Sequence, residues 1–508
     1  MHSAMSFLLL FSLCFLIHCF VFLLIKKKKA KTMDAKTVPP GPKKLPIIGN
    51  LHQLGKLPHR SLRCLSNEYG PLMLMQLGSV PALVVSSADT AREVFKRHDL
   101  AFSGRPAFYV AKKLTYDYSD ITLAPYGEYW REVKKILVLE LLSAKKVQSF
   151  EAIRDEEVAR MVNFIARSSN PVNLSRLALS LSNNVICRIA FGKISGYEDG
   201  SEAKSKFEDI FHETEDFFGT VNIADFFPAL SWINKFNGVE TRLKENFKKL
   251  DSFLNQVIEE HLDSRRSKTE KEDIVDALLR IQGNPNETIT LSSENIKGIL
   301  VTVLLGGSDT STAVLVWTMA ELMRNPMVRR KAQQEVREII KGQGKVGESD
   351  LSRLEYLKLI IKESLRLHPP GPLLIPRETI ECCTIEGYKI PAKTRVFINA
   401  AAIATDSKVW ENPYAFKPER FMDKTVDFKG EDFEMLPFGA GRRGCPGMNF
   451  AVPLIGLALA NLLLQFDWKL PEGMIAEDLE MEEAPGITVH KKIPLCLVAS
   501  PNRCAAQD

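Results

Sequence analysis

One cysteine of this chain stands where a thiolate could be kept. Pro437 to Gly447 reads PFGAGRRGCPG and places Cys445 in a glycine-dense loop just before an apolar run, Met448 to Leu464, that has the composition of a helix. A thiolate is anionic, so the protein around it must supply donors and positive charge. Gly439, Gly441, Gly444 and Gly447 permit close turns that aim backbone N–H groups at a sulfur. Pro446 suits the first position of the following helix, whose N-terminal end adds positive potential. A buried structural cysteine or a zinc ligand is the bland alternative, but no CxxC and no clustered histidine completes a tetrahedral site. The loop reads as a nest for a cysteine bonded to iron.

A second stretch invites chemistry. From about Glu294 to Arg324 the chain is one long apolar helical pattern ended by Asn325-Pro326, and its middle reads Gly306-Gly307-Ser308-Asp309-Thr310-Ser311. Each glycine costs a helix about 1 kcal/mol relative to alanine, so function is the readier explanation for two of them. Helical spacing puts Ile299, Val303, Gly306 and Thr310 on one face. Taken alone, a glycine kink with a solvated aspartate explains the motif equally well. Glu363 and Arg366, at i and i+3 on the expected helix Leu357 to Leu367, must meet; alone they are an ordinary surface pair. Pro418-Glu419-Arg420-Phe421 follows downstream.

Read together, these stretches resemble the cytochrome P-450 superfamily. Its signature FxxGxRxCxG is matched by Phe438, Gly441, Arg443, Cys445 and Gly447, and the form PFGxGRRxCPG is similar to the plant microsomal (A-type) branch that serves specialised metabolism. The resemblance implies that Cys445 is the axial ligand of the iron of haem b, with Phe438 and Gly439 beside it and Arg443, Arg377 and Trp130 around the haem. Trp130 matches the tryptophan of the family's WxxxR pair, while Lys134 replaces the arginine and can pair with a propionate only without bidentate geometry. A solvated basic face is the other reading of Lys134. The (A/G)GxDT motif assigns Gly306 to leave room for dioxygen, and Asp309 and Thr310 to help protonate it. Glu363, Arg366 and Arg420 become a buried charge cluster. Ile121, Leu123, Ile299, Val303, Leu373, Leu374 and Ile487, the last within the loop Ala484 to Thr488, become an apolar substrate pocket roofed by the phenylalanine-rich segment Phe207 to Phe253.

The implied enzyme is a membrane-bound haem-thiolate monooxygenase. By the resemblance it takes O2 and electrons from NADPH through NADPH–cytochrome P-450 reductase, docked near Cys445 where Arg442, Lys134 and Lys135 offer basic contacts. Its substrate is a small lipophilic terpenoid, alkaloid or phenylpropanoid. A reductase-independent haem-thiolate isomerase or dehydratase, and a non-catalytic haem-binding membrane protein, are the other readings; the Asp309-Thr310 pair argues against both.

The rest of the chain must position these groups. With 508 residues, 45% of them hydrophobic, and no Gly/Ser linker, one large domain is expected, mainly α with small β-sheets (α+β). Leu72 to Leu77 and Val80 to Val85, turned at Gly78-Ser79, read as a hairpin, Thr394 to Ile398 as a strand, and Tyr126 to Leu142 as an amphipathic helix. The net charge of +5 is local, because residues 1 to 44 hold eight lysines and one aspartate; nothing suggests a nucleic-acid partner. Nine irregularly spaced cysteines point to a reducing compartment.

Phe7 to Ile25 is 19 mostly apolar residues, without formal charge when His18 is neutral, roughly 28 Å as a helix and long enough for a ~30 Å hydrocarbon core. Lys26 to Lys29 and Lys31 follow at once, placing the remainder in the cytosol. A cleaved signal would carry its charge before a shorter core. The expected organisation is therefore an anchor and basic stop over 1–31, a proline-rich linker over 32–44 including Pro39-Pro40-Gly41-Pro42, and a catalytic domain over 45–508, single-pass in the endoplasmic reticulum membrane and in contact with its lipid. The sequons at Asn173 and Asn286 are then left unglycosylated, and Ser264 to Asp273 is a charged surface loop.

Overall fold

Two stretches too apolar to lie on a surface form the centre of the molecule. The computed structural model describes residues 37–168, 171–192, 202–264, 272–284, 289–422 and 424–502, so the expected anchor, the Asn286 sequon and most of the 264–273 loop lie outside the described residues. The helices that bear on the site are α1 (Glu128–Ile136), α2 (Leu174–Phe191), α3 (Glu202–Gly219), α4 (Val239–Leu262), α5 (Ser293–Arg324), α6 (Glu355–Leu367) and α7 (Met448–Gln465). Both α5 and α7 have the length and hydropathy of membrane spans, yet most of each is buried in the protein and they pack on one another. Helices apolar all round belong in a core.

Local chemistry fixes where α5 starts and stops. The Ser292 hydroxyl accepts from the Asn295 amide, and the Asn295 side chain accepts from the Ser292 amide, a capping box. At the other end Asn325 closes α5, and Pro326 opens the next helix at a position where a missing N–H costs nothing. Between them 32 residues make a rod of about 48 Å. Its two central glycines serve different purposes. A methyl group on Gly307 would collide with Ile186 of α2, whereas one on Gly306 would meet nothing within 4 Å. Gly307 lets two helices approach, and Gly306 keeps one face open.

The strands are β1 (Leu72–Leu77), β2 (Val80–Val85), β3 (Val172–Asn173), β4 (Arg377–Glu378), β5 (Cys383–Ile385), β6 (Tyr388–Ile390), β7 (Arg395–Ile398), β8 (Phe466–Lys469) and β9 (Cys496–Pro501). They form a four-stranded sheet in the order β1-β2-β7-β4, a three-stranded sheet β3-β9-β8 and the hairpin β5-β6. β1 and β2 pair antiparallel with Leu77 opposite Val80, the register the Gly78-Ser79 turn dictates. Thr394 falls just outside β7. The mainly α architecture with small sheets is thus the expected one.

Two boundaries differ from expectation. The helix expected over 126–142 is regular only from Glu128 to Ile136 and then widens into a π-helical turn over Leu137–Leu141. The proline-rich stretch does not stand clear of the domain: the Leu74 amide donates to the Pro40 carbonyl at 2.8 Å, so by residue 40 the chain is already laid along β1.

The glycine pair makes a stability prediction. Gly307→Ala should lower the thermal midpoint of the purified protein, because overpacking of this kind costs ~1–3 kcal/mol. Gly306→Ala should leave it unchanged or raise it, since alanine is the better helix former by about 1 kcal/mol. Equal effects in a thermal melt followed by circular dichroism would refute the division of roles.

Candidate active site

Cys445 sits between a short 3-10 turn, Gly441–Arg443, and the start of α7. Its amide donates to the Phe438 carbonyl at 2.9 Å, which closes the loop on itself. Burial pushes the thiol pKa up, and hydrogen bonds from the Gly447 and Met448 amides oppose that shift. These are the free donors of a helix N-terminus. Taken as a whole, the residue is nevertheless exposed. Gly439 and Gly441 have φ of 67° and 68°, and a side chain on Gly441 would strike the Asp99 carboxylate. Pro446 is not the first residue of α7 as expected. Gly447 is the N-cap and the helix begins at Met448, so the donors that reach the sulfur come from the cap and first turn.

Cations converge beside this loop. Arg443 donates to the Ser103 and Ala124 carbonyls at 2.9 and 2.6 Å, and its guanidinium lies 4.2 Å from the Trp130 ring centroid. Trp130 Nε1 in turn donates to the Ile121 carbonyl at 2.9 Å. Arg377 donates to the Ala440 carbonyl at 2.9 Å. Arg105, which sequence reasoning missed, donates to the carbonyls of Thr122, Ile375 and Pro376. Lys134 donates to the Arg442 carbonyl with its ammonium 5.1 Å from the Trp130 ring. Of the three basic groups expected to face a partner, Arg442 and Lys135 are exposed and Lys134 is half-buried. Arg442 is held by Asp99 at 3.0 Å, and Lys135 lies 3.7 Å from Glu132.

The electrostatics of this cluster suit an anionic ligand. Burial and then the neighbouring Arg377 and Arg443 hold Arg105 well below its ordinary value. Burial brings Arg377 down to about 10; burial and then Arg377 bring Arg443 down to about 9. Lys134 is lowered by burial and then by Arg443. The carboxylates facing these cations are Asp99 and Asp120, and burial raises Asp120 itself. Buried cations repelling one another beside a thiol fit a planar metal ligand carrying two carboxylates. The residues present therefore fit a haem, whose metal Cys445 would bind and whose carboxylates the guanidinium groups would hold.

The segment 119–124 ties the cysteine loop to α5. Arg443 reaches its carbonyls, and the Asp120 carboxylate accepts from the Thr122 and Leu123 amides at 2.9 Å each and from the Thr302 hydroxyl at 3.1 Å. On α5, Gly306 is exposed and the Thr310 hydroxyl donates to the Gly306 carbonyl at 2.8 Å. Asp309 turns away from them, and its Oδ1 lies 2.6 Å from His490 Nε2. His490 is a second residue that sequence reasoning missed.

The expected pocket residues divide. Val303, Leu373 and Leu374 are half-buried, Ile121 and Leu123 are buried at 6% exposure, and Phe438 rests 5.6 Å from the Phe428 ring. A side chain on Gly439 would touch Leu374. Ile299 is 1% exposed, buried in the core rather than open like Gly306. Ile487 is exposed, standing where the C-terminal loop passes the end of α3 at Gly219.

Glu363, Arg366 and Arg420 come together in full. Arg366 grips Glu363 with two bonds of 2.8 Å, and Arg420 Nε reaches Glu363 Oε1 at 2.9 Å. The side chains of Glu363 and Arg366 are completely buried. Arg366 also donates to the Ala404 and Pro413 carbonyls, pinning the chain between β7 and the PERF turn, Pro418–Phe421, to α6.

A mainly α fold of this kind around a cysteine so held defines a haem-thiolate protein. The family model for cytochrome P450 matches residues 39–497, and the chain belongs to that family, in its plant A-type branch. It is 55% identical to cytochrome P450 71A9 of Glycine max over 96% of this chain and 98% of the relative. It is 46% identical to a phenylacetaldehyde oxime monooxygenase of Prunus mume, over 95% and 93% respectively. A zebra fish cytochrome P450 solved with abiraterone superimposes with a TM-score of 0.74 at 25% identity, covering 88% of this chain and 99% of that one. The chain is a cytochrome P450 monooxygenase of plant specialised metabolism.

The charge cluster yields a sharp test. Glu363→Ala leaves two buried guanidinium groups without their carboxylate, at a cost of ~3–5 kcal/mol. Denaturant unfolding should show that loss, and the reduced carbon monoxide difference spectrum should show depleted haem; normal haem occupancy would sink the assignment.

Proposed function

We propose that the chain holds haem b through Cys445 and oxidises a small lipophilic metabolite with O2 and with electrons delivered from NADPH by a cytochrome P450 reductase. The observation that carries this reading is one loop in which Cys445 receives the Gly447 and Met448 amides while Arg443, Arg377 and Arg105 crowd together beside it. When bound there, haem supplies the redox centre at which dioxygen is activated, and the thiolate favours O–O cleavage. For hydroxylation the balance is R–H, O2, NADPH and one proton in, and R–OH, water and NADP+ out.

The protein's own residues then have separable tasks. Cys445 binds the metal, while Arg443, Arg377 and Arg105, with Trp130 and Lys134 at the rim, fix the orientation of the ring. Gly306 keeps the facing helix clear, Thr310 offers a hydroxyl to that open space, and Asp309 supplies protons. Val303, Leu373 and Leu374 offer apolar contacts that suit a terpenoid, alkaloid or phenylpropanoid, and the oxime substrate named for the Prunus mume relative is of that small lipophilic kind.

We further assign residues 1–31 to an endoplasmic reticulum membrane anchor, 32–44 to a linker whose last residues are already laid along β1, and 45–508 to the catalytic domain, with the reductase approaching near Arg442 and Lys135. Support for a membrane-facing side comes from exposed Ile47, Ile48, Val221, Ile223, Trp232 and Phe236. These segments meet at the β1–β2 turn, where Gly78 donates to the Ile48 carbonyl and Ser79 to the Phe226 carbonyl.

Two measurements test the function. Cys445→Ala should abolish both the thiolate-type carbon monoxide spectrum and all NADPH-dependent product formation; turnover that survives contradicts the reading. Titrating the holoprotein with phenylacetaldehyde oxime and a panel of terpenoids, alkaloids and phenolics should give a saturable spin-state shift with one class. Conversion of that ligand should then require reductase and NADPH, whereas conversion without either would mean an isomerase or dehydratase.

A further inference from the structure

Three elements distant in sequence bring four ionisable side chains together on one side of α5. Asp309 of α5 and His490 of the C-terminal loop are joined by the 2.6 Å contact already described. Glu215 of α3 lies in the field of both. Its Oε1 is buried without a hydrogen-bond partner, and its Oε2 lies 3.5 Å from His212 Nδ1. His212, one turn back on α3, is half-exposed at 53% and also feels Glu208 and Asp309. The elements meet through backbone as well, since a side chain on Gly219 would touch Gly486. The remaining nearby charges are engaged elsewhere. Arg242 of α4 takes Glu213 and Asp216, Lys492 pairs with Glu482, and Lys491 donates to the Ile493 carbonyl.

The cluster is suited to moving protons. A buried carboxylate oxygen with no donor is costly while ionised, and burial, with the charge of Asp309 adding to it, pushes Glu215 up to about 7. Burial lowers His490, but the hydrogen bond and charge of Asp309, with Glu215, carry it above its ordinary value. Groups that titrate near neutrality pass protons fastest at that pH. The four residues run from solvent at His212 to the half-buried Asp309.

We propose that His490 and Glu215 form the proton supply to Asp309, with His490 holding the Asp309 carboxyl in place and passing on protons that enter through His212 and Glu215. This deepens the monooxygenase reading and rests on it. Each turnover takes two electrons from NADPH and two protons to release one oxygen atom as water. In each transfer His490 gains a proton on one ring nitrogen and releases one from Nε2 to Asp309, and Glu215 is replenished from His212. His490 and Glu215 are positioning residues, because they act through Asp309.

The test uses the full-length holoenzyme, reconstituted with reductase, NADPH, O2 and phenylacetaldehyde oxime or whichever panel ligand gives the spin-state shift, comparing wild type with His490→Gln, Glu215→Gln and the neighbouring control Lys492→Gln, whose ammonium pairs with Glu482. Equal carbon monoxide spectra establish that every variant is folded and loaded. Infrared difference spectra between pH 6 and 8 should show a carboxylic-acid band that titrates in wild type and disappears in Glu215→Gln. NADPH consumption should slow about tenfold or more in His490→Gln, the lower range of what positioned proton transfer contributes, with a larger solvent deuterium isotope effect and a displaced pH profile. A wild type lacking the band, or a His490→Gln enzyme matching wild type in rate, isotope effect and pH profile, overturns the proposal. Failure of the wild type itself to oxidise NADPH overturns the underlying monooxygenase reading instead, and the infrared titration, which needs no NADPH, tells the two apart.

Discussion

A thiolate cannot be kept inside a protein unless its charge is answered, and the architecture around Cys445 follows from that demand. Backbone amides at the head of α7 meet the sulfur, and glycine conformations at positions 439 and 441 allow the chain to turn tightly enough to present them. Backbone carbonyls from 102–103, 121–124, 375–376 and 440 then hold the surrounding guanidinium groups by their N–H donors. Carbonyls orient a cation without neutralising it. The cluster therefore retains net positive charge, which is what an anionic cofactor needs.

The opposite solution appears at Glu363. There a carboxylate and two guanidinium groups are taken fully out of water and matched to one another. Such a cluster is weak evidence for added stability, because desolvation offsets much of the attraction. Its effect is on register: Arg366 can satisfy its donors only if the stretches at 404 and 413–415 lie against α6. One charge cluster stays open to receive a ligand, and the other is closed to fix the fold.

What could be read from the sequence was what is local. The hairpin at 72–85, the capped rod of α5 and the cysteine loop are each encoded within a continuous stretch, and each formed within a residue or two of expectation. The Glu363–Arg366 pair was legible because both residues share a helix, whereas its meeting with Arg420 was implied only by the resemblance of the two motifs to the family. Arg105, Glu215 and His490 were not legible: each matters through partners more than 90 positions away, and nothing near them in sequence marks them. Spacing placed Gly306 on the Thr310 face but gave Gly307 no role, since Gly307 meets Ile186 only once α2 is in place. Periodicity placed Ile299 on the Gly306 face but did not report that it is buried there.

Helix geometry explains why Asp309 requires a partner at all. Neighbouring residues on an α-helix point about 100° apart, so Asp309 and Thr310 cannot both face the open side at Gly306. The structure gives that side to Thr310, whose hydroxyl folds back on the Gly306 carbonyl, and turns Asp309 toward the C-terminal loop. An acid in that position is held by whatever the loop and the roof helix present to it. Here they present a histidine and a carboxyl group that share its field. The surroundings of Asp309 therefore depend on the placement of α3, the same element whose phenylalanines Phe207, Phe211 and Phe217 pack into the core. A displacement of α3 would change the electrostatic field at Asp309.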